Sequence, residues 1–216
     1  MKLERSYLLH SWKFFLALLI GLPLIIFSIV HVLENRFGKP PIYAGSTIVG
    51  KDHNTNGQLP TFVFTDQLGR TVTNSVMNNH IVVANYFFTS CPLICPKMMA
   101  QLERVQEANE GVIILSFTVD PARDTPAKLL HYGTQYDVHP NIWRLLTGDK
   151  KALYYFARKG LFITATEGDG GETDFIHSDR LVLLDTHQRI RGYYDGTSPE
   201  EVDELLNDIK KLKNEL

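Results

Sequence analysis

Cys91 and Cys95 are the two cysteines of the chain, and they lie four positions apart in the segment TSCPLICP. An apolar run precedes them and a predicted helix follows, so the pair lies where a helix begins. The helix dipole and the unpaired N–H groups of a helix start lower thiol pKa values. Residues i and i+4 share one helical face, which suits either a disulfide of long Cα separation or one soft metal ion bound by both thiolates. Closing so short a loop stabilises a fold little, so the pair indicates redox or metal chemistry.

The segments around the cysteines alternate between strand and helix. Continuous apolar runs predict buried strands at 81–89, 111–120 and 141–147. The predicted helices cover 96–109, a segment from Thr125 and 149–159, and a short hairpin precedes the first buried strand. A second hairpin (180–185 and 189–194) and a helix that starts with a Ser198–Glu201 capping box complete the chain. This order predicts an α/β, thioredoxin-like fold with a C-terminal hairpin and helix.

Composition excludes several classes of protein. The 216 residues are 44% hydrophobic and carry a net charge of −2, which is typical of a globular chain and argues against disorder. Proteins that bind nucleic acid by neutralising phosphates are normally basic, so no nucleic-acid partner is expected. With two cysteines, a disulfide-stapled small fold and an all-cysteine zinc site are both excluded.

Residues 14–33 read FFLALLIGLPLIIFSIVHVL and contain no charged side chain. A helix of this length spans about 30 Å, the thickness of a bilayer core. A cleaved secretory signal is the alternative, but its apolar region is usually shorter, and residues 31–36 form a poor cleavage site. The excess of basic residues before the span favours a cytoplasmic N-terminus. The predicted organisation is a cytoplasmic segment, a transmembrane anchor, a linker and a thioredoxin-like domain, at 1–13, 14–33, 34–57 and 58–216.

A third metal ligand has to come from outside the cysteine segment. Thiolates favour Cu(I) or zinc, and structural zinc takes four protein ligands, so two cysteines with one histidine suit copper better. His177 lies at the start of the C-terminal hairpin, about where thioredoxins place a proline opposite their cysteines. No proline stands between Pro140 and Pro199. The rival histidines are His131, His139 and His187.

Three segments, CPLICP, DPARDTP and DFIHSDRLVLLD, resemble the Sco/SenC family of copper-binding, thioredoxin-fold assembly factors for cytochrome c oxidase. The resemblance covers roughly residues 58–213. It implies that Cys91, Cys95 and His177 are copper ligands and that the partner is the copper-centre subunit of cytochrome c oxidase. It also implies a single membrane anchor. The absence of an Arg- and Ser-rich leader favours a bacterium, with the domain on the periplasmic side of the inner membrane.

Two positions depart from the family pattern. Many members have an acidic residue between the cysteines, where this chain has Leu93, and many have Asp before the histidine, where it has Ile176. The loss of a charge near the metal is expected to alter affinity or redox potential. Asp120, at the end of the second buried strand, is a candidate for orienting the site from the neighbouring strand. The alternative is that the DPARDTP run only ends a strand and caps a helix.

Three functions remain open at this point. The first is a membrane-anchored copper metallochaperone that passes its ion on by thiolate exchange. The second is a membrane-tethered thiol-disulfide reductase in which Cys91 attacks and the cysteines cycle through a disulfide bond. This enzyme activity is compatible with copper binding. The third is a copper or redox sensor that delivers nothing.

Overall fold

The computed structural model describes residues 4–38, 40–44, 47–49, 59–108, 111–163 and 178–215. The chain divides into two compact units, Met1–Lys39 and Pro40–Leu216. The first contains helix α1, Glu4–Phe37, with Pro23 inside it. Within the described residues, no helix combines the length and the apolar character that crossing a membrane requires. The assignment of residues 14–33 as a transmembrane anchor therefore stays a prediction from the sequence.

The second unit is built around one mixed β-sheet. Its strands in the described residues are β1 Ile42–Ala44, β2 Thr47–Val49, β3 Val63–Asp66, β4 Thr71–Thr73, β5 Ile81–Phe87, β6 Val112–Thr118, β7 Trp143–Thr147, β8 Arg180–Leu184 and β9 Ile190–Asp195. Their spatial order is β2-β1-β9-β8-β5-β6-β7-β3-β4. The strands β5, β6 and β7 run parallel, and the other pairings are antiparallel.

Helices cover both faces of the sheet. They are α2 Ile94–Ala108, α3 Pro126–Gly133, α4 Lys150–Tyr155 and α5 Pro199–Lys213, with 3-10 turns at Asn74–Met77 and Thr134–Tyr136 and a π-helical turn at Phe156–Gly160. Residues of α2, α3 and α5 form one core with the sheet, and residues of α4 and β3 form the other. This layered β-α-β arrangement, closed by a hairpin and a helix, confirms the predicted thioredoxin-like layout.

Strand β5 lies at the centre of the sheet, and all seven of its residues are buried. Its side chains alternate between the two cores. Val82 and Tyr86 pack on the face of α4, whereas Val83 and Phe87 pack on the face of α2. The alternation follows from the period of two of a strand and confirms the prediction that this run is covered on both sides.

Strand direction decides which loops come together. In β5 and β6, Phe87 lies beside Thr118 at their carboxyl ends. Strand β8 runs the opposite way, with Leu181 beside Asn85, so its first residues lie at the same edge. Three segments therefore meet at this edge of the sheet: the one that carries the cysteines, the DPARDTP run and the start of the C-terminal hairpin.

The predicted linker contains the short extended segments β1 and β2, and Tyr43 of β1 pairs with Ile190 of β9. Two other local details differ from the simplest expectation. The helix predicted over 149–159 is α-helical only to Tyr155 and continues as the π-helical turn. At α5, Ser198 caps the Glu201 N–H at 3.2 Å, but the Glu201 carboxylate accepts from the N–H of Asp195 instead of that of Ser198.

Candidate functional site

The turn after β5 carries Cys91 to the start of α2. The Cys91 N–H donates to the Phe88 carbonyl at 3.2 Å, and the Cys95 N–H donates to Cys91 Sγ at 3.4 Å. Both residues are free thiols. Cys95, in the first turn of α2, is only 4% exposed, whereas Cys91 is half-buried. The start of α2 thus has one accessible thiol, that of Cys91, and one buried thiol, that of Cys95.

The two thiols have opposite acid–base character. Desolvation raises the pKa of Cys91, but hydrogen bonds from the backbone N–H groups of Cys95, Leu93 and Ile94 outweigh it, and the pKa is lowered from its ordinary value. Burial raises the pKa of Cys95 to about 12, despite a hydrogen bond from the Phe88 backbone. Cys91 is therefore the more nucleophilic of the two thiols near neutral pH, because its lowered pKa gives it the larger thiolate fraction.

Beside the thiols lies a pocket of about 150 Å³. Its walls are aromatic and aliphatic apart from the thiols and one polar corner. The lining residues are Tyr86, Phe87, Phe88, Cys91, Ile94, Cys95, Val119, Ser178 and Asp179. The two thiols thus border a small, partly open pocket, and thiolates are ligands that soft metal ions prefer.

His177 lies outside the described residues. Ser178, the next residue along the chain, lines the pocket together with both cysteines. The rival histidines His131, His139 and His187 are exposed, and none of them lines the pocket. Among the described residues, no group of three or more His, Cys, Asp or Glu side chains is arranged to hold a metal ion. The role of His177 as third ligand stays a prediction.

Asp124 is a site residue that the sequence analysis missed. Its buried carboxylate accepts hydrogen bonds from the N–H and hydroxyl groups of Thr89 and from the hydroxyl of Thr118. Thr125, and not Asp124, caps α3 by accepting the Lys128 N–H at 3.4 Å. Asp124 is thus available to bind the turn two residues before Cys91. The sequence signal for this second role is Pro126, which favours the first helical position and so places the cap at Thr125.

Asp120 has different surroundings. Its carboxylate lies 3.6 Å from the guanidinium of Arg123, and its N–H donates to Thr118 Oγ1 at 3.0 Å. It is not among the residues that line the pocket. Its proposed role in orienting the site stays a prediction, and the direct contact with the cysteine turn comes from Asp124.

The parallel strands and the two free thiols at the following helix define a class: thioredoxin-like proteins with a Cys-x3-Cys site. The SCO1/SenC family profile matches residues 51–214, and the chain belongs to this family. It is 29% identical over 160 residues to the SCO1 protein homolog of Bacillus subtilis strain 168. This aligned region covers 72% of this chain and 82% of the relative.

Solved structures show the same fold. A SCO1/SenC family lipoprotein from Bacillus anthracis matches with a TM-score of 0.64 and 27% identity, over 72% of this chain and 95% of that one. BsSco, a member of the Sco family of cytochrome c oxidase assembly proteins in which a disulfide switch is described, matches with a TM-score of 0.61 and 25% identity. The match covers 73% of this chain and 94% of BsSco. ScoI of Bradyrhizobium japonicum, solved with copper bound, matches with a TM-score of 0.57 over 71% of this chain and 98% of that one. At 24% identity, that last match shows the fold alone.

Proposed function

We propose that the chain is a membrane-anchored copper metallochaperone that helps to assemble the copper centre of cytochrome c oxidase. Copper is its cargo, and Cys91, Cys95 and His177 are the proposed ligands. The acceptor is the copper-centre subunit of the oxidase. Membership of the SCO1/SenC family supports this proposal, as does the description of BsSco as belonging to a family of cytochrome c oxidase assembly proteins.

The observation that carries the proposal is the pairing of an accessible thiol with a buried one beside an apolar pocket. Two thiolates suit Cu(I), and the low exposure of Cys95 keeps one ligand away from competing solutes. Cys91, half-buried and with a lowered pKa, is the ligand that an incoming acceptor thiolate reaches first. Such an arrangement permits transfer by exchange of one ligand at a time.

Copper binding tests the ligand set. The full-length protein in detergent is expected to bind about one copper per chain, measured by metal analysis after exchange against a chelator. Cys91→Ala and His177→Ala should each abolish tight binding. His131→Ala and His187→Ala are matched controls on exposed histidines and should keep it. Full copper retention by both Cys91→Ala and His177→Ala contradicts the proposed site.

Transfer tests the acceptor. The copper-loaded protein is mixed without oxygen with the metal-free copper-centre subunit, and copper is measured in each protein after separation. Copper should move to the subunit from the wild-type protein. Copper that stays with the donor, while a small thiol chelator removes it readily, argues against a delivery function.

The proposed anchor is residues 14–33, in a bacterial inner membrane, with the thioredoxin-like domain, residues 58–216, on the periplasmic side. The absence of charge in this segment supports it. Cell fractionation should place the wild-type protein with the membranes, and a protease added to spheroplasts should digest the domain. A protein that alkaline carbonate releases from the membranes would contradict the anchor.

A thiol-disulfide reductase is the second candidate, supported by the acid–base contrast of the two thiols. The Cys91 thiolate attacks a substrate disulfide and releases one substrate thiolate, and Cys95 then loses its proton and attacks Cys91 Sγ. The substrate gains two electrons and leaves as a dithiol, while the cysteines form a disulfide. A single-turnover assay of the reduced protein with excess disulfide substrate and no added reductant should give one reduced disulfide per chain. Activity that needs both cysteines and survives His177→Ala favours this function over copper delivery.

A further inference from the structure

Gly196 lies where the end of β9, helix α2 and the segment that enters β8 pack closely together. It follows the last residue of β9, and its N–H donates to the Asp179 carbonyl at 2.7 Å. A Cβ atom built at this position would lie 2.6 Å from Met98 Cγ, 2.9 Å from Leu181 Cγ and 3.0 Å from the Asp179 carbonyl oxygen. Ordinary contacts between carbon atoms are about 3.5–4.0 Å, so any side chain here would push its neighbours apart by about 1 Å.

These neighbours are connected directly to the cysteine pocket. Met98 is fully buried in α2, one turn after Cys95. Asp179 lines the pocket beside Ser178, and these two residues follow His177 in the chain. The contact at Gly196 therefore sets the spacing between the helix of the cysteines and the segment that leads into β8.

We propose that Gly196 is a positioning residue that sets this spacing and so keeps the pocket at the width needed to bind copper. The inference rests on the proposed copper function. Metal sites require ligand positions within a few tenths of an ångström, so a separation of about 1 Å is large. The requirement is steric, because Gly196 is not among the residues with positive φ and its backbone conformation is open to alanine.

The test compares Gly196→Ala with Gly192→Ala in the full-length protein. Gly192 lies in β9, the strand that ends just before Gly196, and a Cβ there would lie 2.6 Å from ring carbons of Tyr194. Both substitutions therefore crowd the core, but the nearest atoms to Gly192 belong to neither α2 nor Asp179. A third variant, Gly196→Ala with Met98→Ala, removes the closest clashing atom and serves if the single variant does not fold.

Two measurements are made on each variant. One is copper affinity by competition with a chelator, and the other is the rate of Cys95 alkylation in the metal-free protein. Gly196→Ala should lower copper affinity by about 10- to 100-fold, the range for losing a residue that orients metal ligands, and should speed alkylation of Cys95. Gly192→Ala should lower Tm with both site readouts unchanged. The double variant should regain most of the affinity.

The outcomes separate the two proposals. If the wild-type protein binds no copper, the copper function is wrong. The rate of Cys95 alkylation in Gly196→Ala, compared with the wild type, then still tests whether Gly196 sets the width of the pocket. If the wild type binds copper and folded Gly196→Ala keeps its affinity, the positioning role is wrong. It is also wrong if Gly192→Ala loses as much affinity, or if the double variant folds and regains none.

Discussion

The buried carboxylate of Asp124 accepts hydrogen bonds from both the backbone N–H and the hydroxyl of Thr89. This contact joins the start of α3 to the turn that presents Cys91, across a separation of 35 residues in the chain. Because Thr118 donates to the same carboxylate, the ends of β5 and β6 are tied to one buried charge.

Removal of this carboxylate should loosen the cysteine turn. Asp124→Ala leaves the donors of Thr89 and Thr118 unsatisfied, and we expect a loss of about 3 kcal/mol in the free energy of unfolding. Chemical denaturation measures it. The matched control is Asp120→Ala, since Asp120 pairs with the exposed Arg123, and its expected loss is about 1 kcal/mol or less. Equal losses in the two variants would show that the contact with the turn has no special weight.

Alkylation should distinguish the two thiols by pH. The lowered pKa of Cys91 means that its iodoacetamide rate rises with pH and levels off below the pH at which an ordinary cysteine does. Burial raises the pKa of Cys95 to about 12, so its rate should still be rising at the highest pH at which the protein stays folded. Mass spectrometry of the two peptides measures both rates. Faster labelling of Cys95 than of Cys91 at neutral pH would contradict the asymmetry.

Leu93 offers a test of charge next to the accessible thiol. Its side chain is 70% exposed, so replacement should leave the fold intact. Leu93→Glu places a negative charge near Cys91, which should raise the pKa of that thiol and slow its alkylation at neutral pH about two- to threefold. The effect should shrink in high salt. Leu93→Gln is the uncharged control, and a similar slowing there would assign the effect to shape instead of charge.

Arg191 should stabilise the start of β9, at the end of the strand away from Gly196. Its guanidinium is 3% exposed and donates to the Pro40 carbonyl at 2.8 Å and to Asp185 at 3.2 Å. Arg191→Leu leaves a buried carboxylate and carbonyl without this partner, and we expect unfolding to become easier by about 3 kcal/mol. In the exposed pair of Arg104 with Asp203, Arg104→Leu should cost at most about 1 kcal/mol. Denaturation curves of both variants measure the two losses in the free energy of unfolding. Equal losses would show that burial does not make the Arg191 contacts stronger than the exposed pair.

Much of the fold is readable from local pattern. The apolar run that became β5, the cap at Ser198 and the placement of Cys91 before a helix follow from periodicity and from the chemistry of helix starts. Local pattern does not reveal the roles of Gly196 and Asp124. A glycine after a strand reads as an ordinary turn residue, and the asymmetry of the cysteine pKa values depends on burial.

The order of the elements, the close spacing of the two cysteines and the motifs of the SCO1/SenC family can all be recognised in the sequence, because each depends on residues that are near one another along the chain. The tertiary structure decided which distant groups meet the thiols. Only strand direction and register bring Ser178, Asp179 and Asp124 to the edge that carries Cys91. The physical reason is that burial and packing distances arise when separated segments pack together, and no local spacing contains them.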